Sequence, residues 1–315
     1  MILNYWKISL VTICLLFWNC SNIEVTVEDS SADFAETDFI EIDSTSVDSS
    51  TTDSLDTDIT KTDSRTIEDM LLVNATSKAV ILGTNDPMAL ESEFPQMRVV
   101  LNYDFMMDRH ETICSEFISI MKKFGPRNSF ANNYKCKNDS LPIVDVTYYD
   151  AVLFANAKSK SFAATKNKDS TSKNIEMEEV YDYTQAVMDE DGHCTNLTGF
   201  VFHPEKKGFR LPTETEWVKT ASLNWNVKNS WNNGNSEYNV HKVCTKNTND
   251  SSFCDLAGNV MEWVYDWLGK FKDTTVTNYV GAPDGGEFGE RIVKGGSFNS
   301  DAESINMYSR GDVYT

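Results

Sequence analysis

The sequence predicts a single α+β domain with much irregular, loop-like structure. Three helical patterns are separated by long polar stretches, and glycine accounts for only 15 of the 315 residues. Apolar residues alternate through positions 96–108, and positions 78–83 form a short apolar run, both of which indicate strands. With 40% hydrophobic and 11% aromatic residues, the chain can build a sizeable core. We therefore expect one domain over residues 71–315, without internal repeats.

Residues 1–20 are predicted to be an export signal. Lys7 precedes an uncharged run, Ile8–Trp18, which is typical of the apolar part of such a signal. The run is too short to cross a bilayer, since this takes about 20 residues. The alternative is a strand or helix buried in the folded domain. Cys20 stands where a bacterial lipoprotein signal is cut and lipidated, so we predict a lipid anchor in the cell envelope. Plain secretion is the alternative, because the two residues before Cys20 are larger than that signal prefers.

The next fifty residues, 21–70, are predicted to be a disordered acidic tether. They contain 15 Asp and Glu against Lys61 and Arg65, a net charge of −13, and few large apolar side chains. Such a segment cannot bury enough apolar surface to offset the entropy of ordering. A cation-binding arm is the alternative. The net charge of the whole chain, −20, disfavours nucleic acid as a partner.

Five cysteines remain beyond the signal, at positions 114, 136, 194, 244 and 254. In an oxidising compartment we expect most of them to pair, although five cysteines allow fifteen ways of forming two bridges. Cys244 and Cys254 flank a polar loop that a bridge would hold, so we predict this pair. None of the cysteines has the spacing of a Cys or Cys/His metal site.

The first helix is predicted in the segment HETICSEFISIMKKFG. Ile113, Phe117 and Met121 fall on one face at helical spacing. We predict Thr112 as the N-cap and Gly125 as the end of this helix.

Capping patterns predict two further helices. Thr147 and Asp150 are spaced like a capping box in VTYYDAVLFANAKSK, with Asp in place of Glu. Thr213 and Glu216 form a true Thr-x-x-Glu box in GFRLPTETEWVKTASLN, and Trp217 begins the apolar stripe of that helix.

A strand is predicted in the stretch DLAGNVMEWVYDW, residues 255–267. From Val260 onward the side chains alternate between two faces, one of them aromatic. We interpret that aromatic face as core; it consists of Met261, Trp263, Tyr265 and Trp267. The Gly258–Asn259 pair supplies the positive φ angles that a sharp entry turn needs.

Glu262 leaves the opposite face of this strand and has two interpretations. Its carboxylate could accept N–H groups of the turn, or it could join the Asn259 side chain and turn carbonyls around Ca²⁺, which takes six to eight oxygen ligands. The spacing alone leaves both open.

In order along the chain, these segments resemble the formylglycine-generating enzyme (sulfatase-modifying factor) family. The most specific blocks are RLPTETEW and GNVMEW, with HETICSEF, LPIVDVTYYDAVLFANAKSK and RIVKGGSF in support. The resemblance covers the chain from about Ala79 onward. It implies a C-type-lectin-like fold and a structural Ca²⁺ held by Asn259, Glu262 and carbonyls near Gly258 and Val260. Family members usually continue into a further Gly-Phe-Arg strand, so we expect either a fragment of a longer protein or a domain that lacks its last strand.

The family's enzymes oxidise a cysteine of a sulfatase to formylglycine with copper(I), which two thiolates hold. Soft sulfur ligands select this ion. The two positions correspond to about Ser300 and Ile305 here, and no cysteine follows Cys254. We therefore expect no copper and no catalytic residues. The predicted function is a non-catalytic binding or structural module with a protein or glycan partner; the alternative is the oxidoreductase that converts a sulfatase cysteine to formylglycine.

Overall fold

A computed structural model describes residues 8–9, 14–16, 69–166, 177–246, 252–283, 285 and 289–314. Most of the predicted export signal, Cys20 and nearly all of the predicted tether lie outside these residues. Two short pieces of the apolar run are described, Ile8–Ser9 and Cys14–Leu16. Each lies as a strand beside the folded domain. The export signal and the lipid anchor stay predictions.

Three α-helices and three single-turn 3₁₀ helices are described. The α-helices are α1 (Cys114–Phe124), α2 (Tyr148–Lys166) and α3 (Glu214–Ala221). The 3₁₀ turns are Glu91–Glu93, Phe130–Asn132 and Val227–Asn229. The strands are β1 (Ile8–Ser9), β2 (Cys14–Leu16), β3 (Met70–Val73), β4 (Val80–Leu82), β5 (Met97–Val100), β6 (Phe105–Asp108), β7 (Tyr181–Asp182), β8 (Gln185–Met188), β9 (Cys194–Thr198), β10 (Val201–Phe202), β11 (Met261–Trp267), β12 (Thr275–Thr277), β13 (Glu290–Lys294) and β14 (Gly311–Tyr314).

The strands form five small sheets. The largest has the order β1-β11-β13-β14, in which β13 is antiparallel to both β11 and β14, and β1 is parallel to β11. β6 lies between β2 and β3, and β5 lies between β4 and β12. Two hairpin-like pairs, β8–β9 and β7–β10, complete the set. Small sheets joined by irregular chain are what the sequence predicts.

Helix α1 begins differently from the prediction. Thr112 is not its N-cap, because the cap residue is Ile113 and no side chain caps the helix. The chain before α1 pairs with residues 139–143 instead: the Cys114 amide donates to the Leu141 carbonyl at 2.8 Å. A backbone carbonyl thus takes the place of the predicted threonine hydroxyl. Gly125 ends the helix as predicted.

The other two predicted caps are present. At α2 the Thr147 amide donates to the Asp150 carboxylate at 3.1 Å, and the Asp150 amide donates to the Thr147 hydroxyl at 3.0 Å. At α3 the Thr213 hydroxyl accepts from the Glu216 amide, and the Glu216 carboxylate accepts from the Thr213 amide at 2.7 Å. Glu216 also pairs with the buried guanidinium of Arg210 at 2.6 Å.

Two hydrophobic clusters form the core. One gathers α1, α2 and the aromatic side chains around them, and it includes Trp263. The other gathers β4, β5 and α3, and it includes Val264 and Trp217. Strand β11 lies between the clusters, because the neighbouring side chains Trp263 and Val264 enter different ones. No helix in the described part of the chain is long and apolar enough to cross a membrane.

Candidate functional site

Strand β11 is covered on both faces, so burial is not confined to the aromatic face that the sequence predicts as core. Trp263 is buried, donates its indole N–H to the Val146 carbonyl at 3.2 Å and packs edge-on against Tyr148. Tyr265 and Trp267 are only partly buried, and the Arg291 guanidinium lies 3.5 Å from the Trp267 ring centroid. The other face, with Glu262, Val264 and Asp266, is fully buried. The two carboxylates of β11 therefore point into the protein.

Glu262 is 1% exposed, and its two oxygens have different surroundings. One accepts the indole N–H of Trp217 at 2.5 Å, whereas the other has no hydrogen-bond partner among the described residues. The pKa of this carboxyl is raised to about 8, chiefly by burial; the Trp217 hydrogen bond lowers it, and the charge of Asp255 raises it. In the absence of a cation, Glu262 is therefore mostly protonated at neutral pH.

Asn259 bonds to four other segments of the chain. Its side-chain oxygen accepts from the His241 amide at 2.9 Å, and its side-chain N–H groups donate to Glu111 at 2.8 Å and to the His241 carbonyl at 3.1 Å. Its backbone N–H donates to the Trp231 carbonyl, and its carbonyl accepts from Phe298 at 2.7 Å. The Asn259 oxygen that was expected to bind Ca²⁺ is thus held by a backbone donor.

The predicted entry turn is present, and it requires glycine at one position. Gly258 has φ +82°, and a Cβ there would lie 2.2 Å from the Trp231 carbonyl oxygen. Asn259 has φ +53°. In this conformation the Asn259 backbone N–H donates to the Trp231 carbonyl, and the Val260 backbone N–H donates to the Glu111 carboxylate at 3.1 Å.

Glu111 is the residue of this site that the sequence did not reveal. It is fully buried and accepts from both the Asn259 side chain and the Val260 backbone. Burial, and then the charges of Asp255 and Glu262, hold its pKa well above the usual range. Glu111 lies 148 positions before Asn259, so no local spacing joins them. The only signal was its place in the HETICSEF block.

The donor chemistry fits a hard cation through carboxylates. The charges of Asp255 and Glu262 raise the pKa of Glu111, the charge of Asp255 raises that of Glu262, and Glu262 keeps an oxygen without a partner among the described residues. Ca²⁺ prefers such oxygens. The amide of Asn259 is engaged within the protein, and the Val260 amide donates to Glu111. Glu262 would therefore be the main holder of an ion here, since both oxygens of Glu111 accept hydrogen bonds from Asn259 and Val260.

The cysteines beyond the signal form two bridges and one buried thiol. The structure joins Cys114 to Cys136 and Cys244 to Cys254, with Cα–Cα distances of 5.9 and 5.2 Å. Cys194 is buried without a bridge, and burial raises its pKa to about 11. A thiol with so high a pKa is a poor nucleophile at neutral pH.

The structure gives Ser300 and Ile305, near which the resemblance places the copper thiolates, other roles. The Ser300 hydroxyl accepts from the Ser297 amide at 3.0 Å and closes a turn. Ile305 is buried, and a Cβ placed on Gly296 would lie 2.8 Å from its side chain. A turn-closing hydroxyl and a packed alkyl group offer no soft ligand.

Two loops next to these positions form one surface, which we call the polar loop surface and define as residues 233–239 and 299–304. The Asn233 amide donates to the Ser300 carbonyl at 3.1 Å, and the Asn233 side chain donates to the Asp301 carboxylate. The Ser236 hydroxyl donates to the Phe298 carbonyl at 2.7 Å. These bonds hold the loops together. Asn259 bonds to Trp231 and Phe298, which lie just before the two loops in the sequence.

A family model, the sulfatase-modifying factor enzyme 1-like domain, matches residues 56–315. The chain belongs to this family. The match begins before residue 71, where the change in composition places the start of the domain. It agrees with the loop-rich, C-type-lectin-like α+β architecture described above.

Among solved structures, the fold is similar to variable protein 1 of Treponema denticola. The two are 22% identical, the match covers 78% of this chain and 89% of that one, and the TM-score is 0.53. A structure of CarF is 19% identical over 78% of this chain and 92% of its own, with a TM-score of 0.46. No curated protein matches this chain.

Proposed function

We propose that this chain is a non-catalytic binding module of the sulfatase-modifying factor family, and that it binds its partner through the polar loop surface. The observation that carries the proposal is a pair of strained, exposed residues at the tip of that surface. Glu237 and Tyr238 are consecutive non-glycine residues at φ +52° and +56°, and Tyr238 is 68% exposed. Such conformations cost free energy and cluster at sites that bind ligands.

The strained pair is held in place by its neighbours. The Tyr238 amide donates to the Ser236 hydroxyl at 3.1 Å, and the Asn239 side chain donates to the Glu237 carbonyl at 2.7 Å. His241 bonds the Ser236 carbonyl at 2.9 Å. A large ring fixed outward in this way offers contact area at low cost in conformational entropy.

Composition indicates the kind of partner. Asn, Ser, Gly and Tyr dominate the polar loop surface, as they do the binding loops of antibodies. Its charged residues are Glu237, Asp301 and Glu303, with no Lys or Arg among the thirteen positions. A protein or glycan that is neutral or basic suits this surface, whereas nucleic acid does not.

The absence of a thiolate pair at Ser300 and Ile305 supports binding over oxidation. We further propose that the module is exported and tethered to the envelope through a lipidated Cys20 and the acidic segment 21–70, with secretion as the alternative. A Ca²⁺ ion held through Glu262 would stabilise the turn beneath the polar loop surface.

The test is a glycan and peptide array probed with the purified protein and two variants. Tyr238→Asn removes the ring at a φ angle that Asn tolerates, and Leu223→Asn makes the matched change at another exposed apolar residue, 55% exposed. We expect Tyr238→Asn to bind the partners recognised by the wild type at least about tenfold more weakly, and Leu223→Asn to bind them as the wild type does. Equal binding by both variants contradicts the proposal.

A second measurement tests the enzyme alternative. The protein is incubated with copper(I) and a Cys-x-Pro-x-Arg peptide, and the peptide is then analysed by mass spectrometry and by aldehyde labelling. We expect an unchanged peptide. Conversion of the peptide's cysteine to an aldehyde would contradict the proposal and show that this chain is an oxidase like the enzymes of its family.

A further inference from the structure

We propose that Cys244, Cys254 and Asp255 form a zinc site when the bridge between the two cysteines is reduced. The two sulfur atoms and a carboxylate oxygen of Asp255 all lie within 4.8 Å of one another. Around a tetrahedral Zn²⁺, with Zn–S near 2.3 Å, two sulfur ligands stand about 3.8 Å apart. Small side-chain adjustments therefore bring all three donors to one ion.

The backbone holds the three donors together. The Cys244 amide donates to the Asp255 carboxylate at 2.5 Å, and the Cys254 amide donates to the Arg109 carbonyl at 2.9 Å. Cys244 and Asp255 both have left-handed backbones, at φ +58° and +61°. Asp tolerates this conformation, whereas Cys rarely adopts it, and strain of the kind seen at Cys244 is concentrated at functional sites.

A cavity lies beside two of the three donors and offers space for a further ligand. Cys254 and Asp255 line a cavity of about 270 Å³, together with Trp225, Asn226 and Phe253. A site with three protein ligands and a fourth position open to water is the arrangement of catalytic rather than structural zinc. The mixture of two thiolates and one carboxylate suits zinc, whereas copper(I) favours sulfur alone.

The metal-binding form follows from a balanced exchange. Two molecules of a thiol reductant give one disulfide of the reductant, and the chain gains two thiols at Cys244 and Cys254. Zn²⁺ then displaces the two thiol protons and binds the thiolates. The oxidised chain cannot bind the ion here, because each sulfur is bonded to the other.

The test uses Co²⁺ as a coloured substitute for zinc on the full chain, before and after reduction, with the reductant removed. We expect one Co²⁺ per reduced chain, with thiolate-to-cobalt charge-transfer absorption that zinc abolishes, and none in the oxidised chain. Cys254→Ser should remove the absorption. Asp255→Asn should weaken binding at least about tenfold, since even outer-shell changes at metal sites cost that much.

Reduction can also open the Cys114–Cys136 bridge, so Cys136→Ser is the matched control and should keep the absorption. Near-ultraviolet circular dichroism verifies the fold of each variant, and Cys244→Ser replaces Cys254→Ser if the latter does not fold. Absorption that survives in a folded Cys254→Ser or Cys244→Ser variant overturns the proposal, and so does absorption that disappears in Cys136→Ser alone. So does a reduced chain that gives no charge-transfer band.

Discussion

Replacing Glu262 by Gln should flatten the dependence of folding stability on pH. The pKa of Glu262 is about 8 in the folded, metal-free chain, against an ordinary value of 4.5, mainly because the carboxyl is buried. Between these two values the folded chain keeps a proton that the unfolded chain has lost. The free energy of unfolding must therefore fall as pH rises, by about 1.4 kcal/mol per pH unit for one such group.

The size of the effect follows from the same pKa. From pH 5 to pH 7, Glu262 alone should reduce the free energy of unfolding by roughly 3 kcal/mol. Gln cannot ionise, has nearly the same volume and keeps an oxygen for the Trp217 indole. Asp266, whose pKa burial also raises to about 8, continues to contribute in the variant. We therefore expect the free energy of unfolding of Glu262→Gln to fall less steeply with pH than that of the wild type, by the contribution of one carboxyl group, while some dependence on pH remains.

The assay is urea unfolding of the wild type and Glu262→Gln between pH 5 and 8 in the presence of a chelator. Glu303→Gln, at an exposed position on the polar loop surface, is the control and should follow the wild type. Parallel profiles for the wild type and Glu262→Gln would refute the reasoning, since they would place the ionisation of Glu262 in its ordinary range.

Three further outcomes are expected. Chelation of calcium with EGTA at pH 8 should lower the melting temperature of the wild type and not of Glu262→Gln, because an ion at about 100 times its Kd contributes roughly 2.7 kcal/mol; equal melting with and without EGTA would contradict the calcium proposal. Trp263→Ala should destabilise the fold by roughly 3–5 kcal/mol in urea with or without calcium, since it removes a buried indole and its bond to Val146; a loss below about 1 kcal/mol would contradict this. Cys20→Ser should move the protein from the membrane fraction to the soluble fraction, and unchanged fractionation would remove the lipoprotein interpretation.

The parts of the fold that were predicted depend on neighbours in the sequence. The two residues of each capping pair, Thr147–Asp150 and Thr213–Glu216, lie three positions apart, so the local sequence contains both partners of the contact and predicts it. The Gly258–Asn259 turn is equally local. The cap predicted at Thr112 was wrong because the donors of that helix end are satisfied by residues about 27 positions later, a pairing that no local pattern displays.

The parts of the site that were not predicted depend on distant residues. Glu111 reaches Asn259 across 148 positions, and Trp217 reaches Glu262 across 45. The second contact acts on Glu262 directly: the indole occupies one of its oxygens and lowers its pKa, against the burial that raises it. The sequence located the carboxylate and its turn, whereas the electrostatics of the site came from the fold.

Strand β11 shows a burial that alternation alone did not reveal, because Glu262 and Asp266, opposite the aromatic face, are buried as deeply as Trp263. A charged side chain is normally a sign of a solvent-facing position, since Asp and Glu are rarely buried without partners. Here the partners are brought in by other elements: Asp266 accepts from the Glu214 amide at 2.8 Å, and Glu214 pairs with Lys294 and Arg310 at 3.1 and 3.0 Å. Because these charges are compensated only as a group, loss of one member leaves the others buried and unpaired, which costs more than the pair itself contributes. The carboxylates of this strand are therefore part of the interior that holds the turn beneath the polar loop surface.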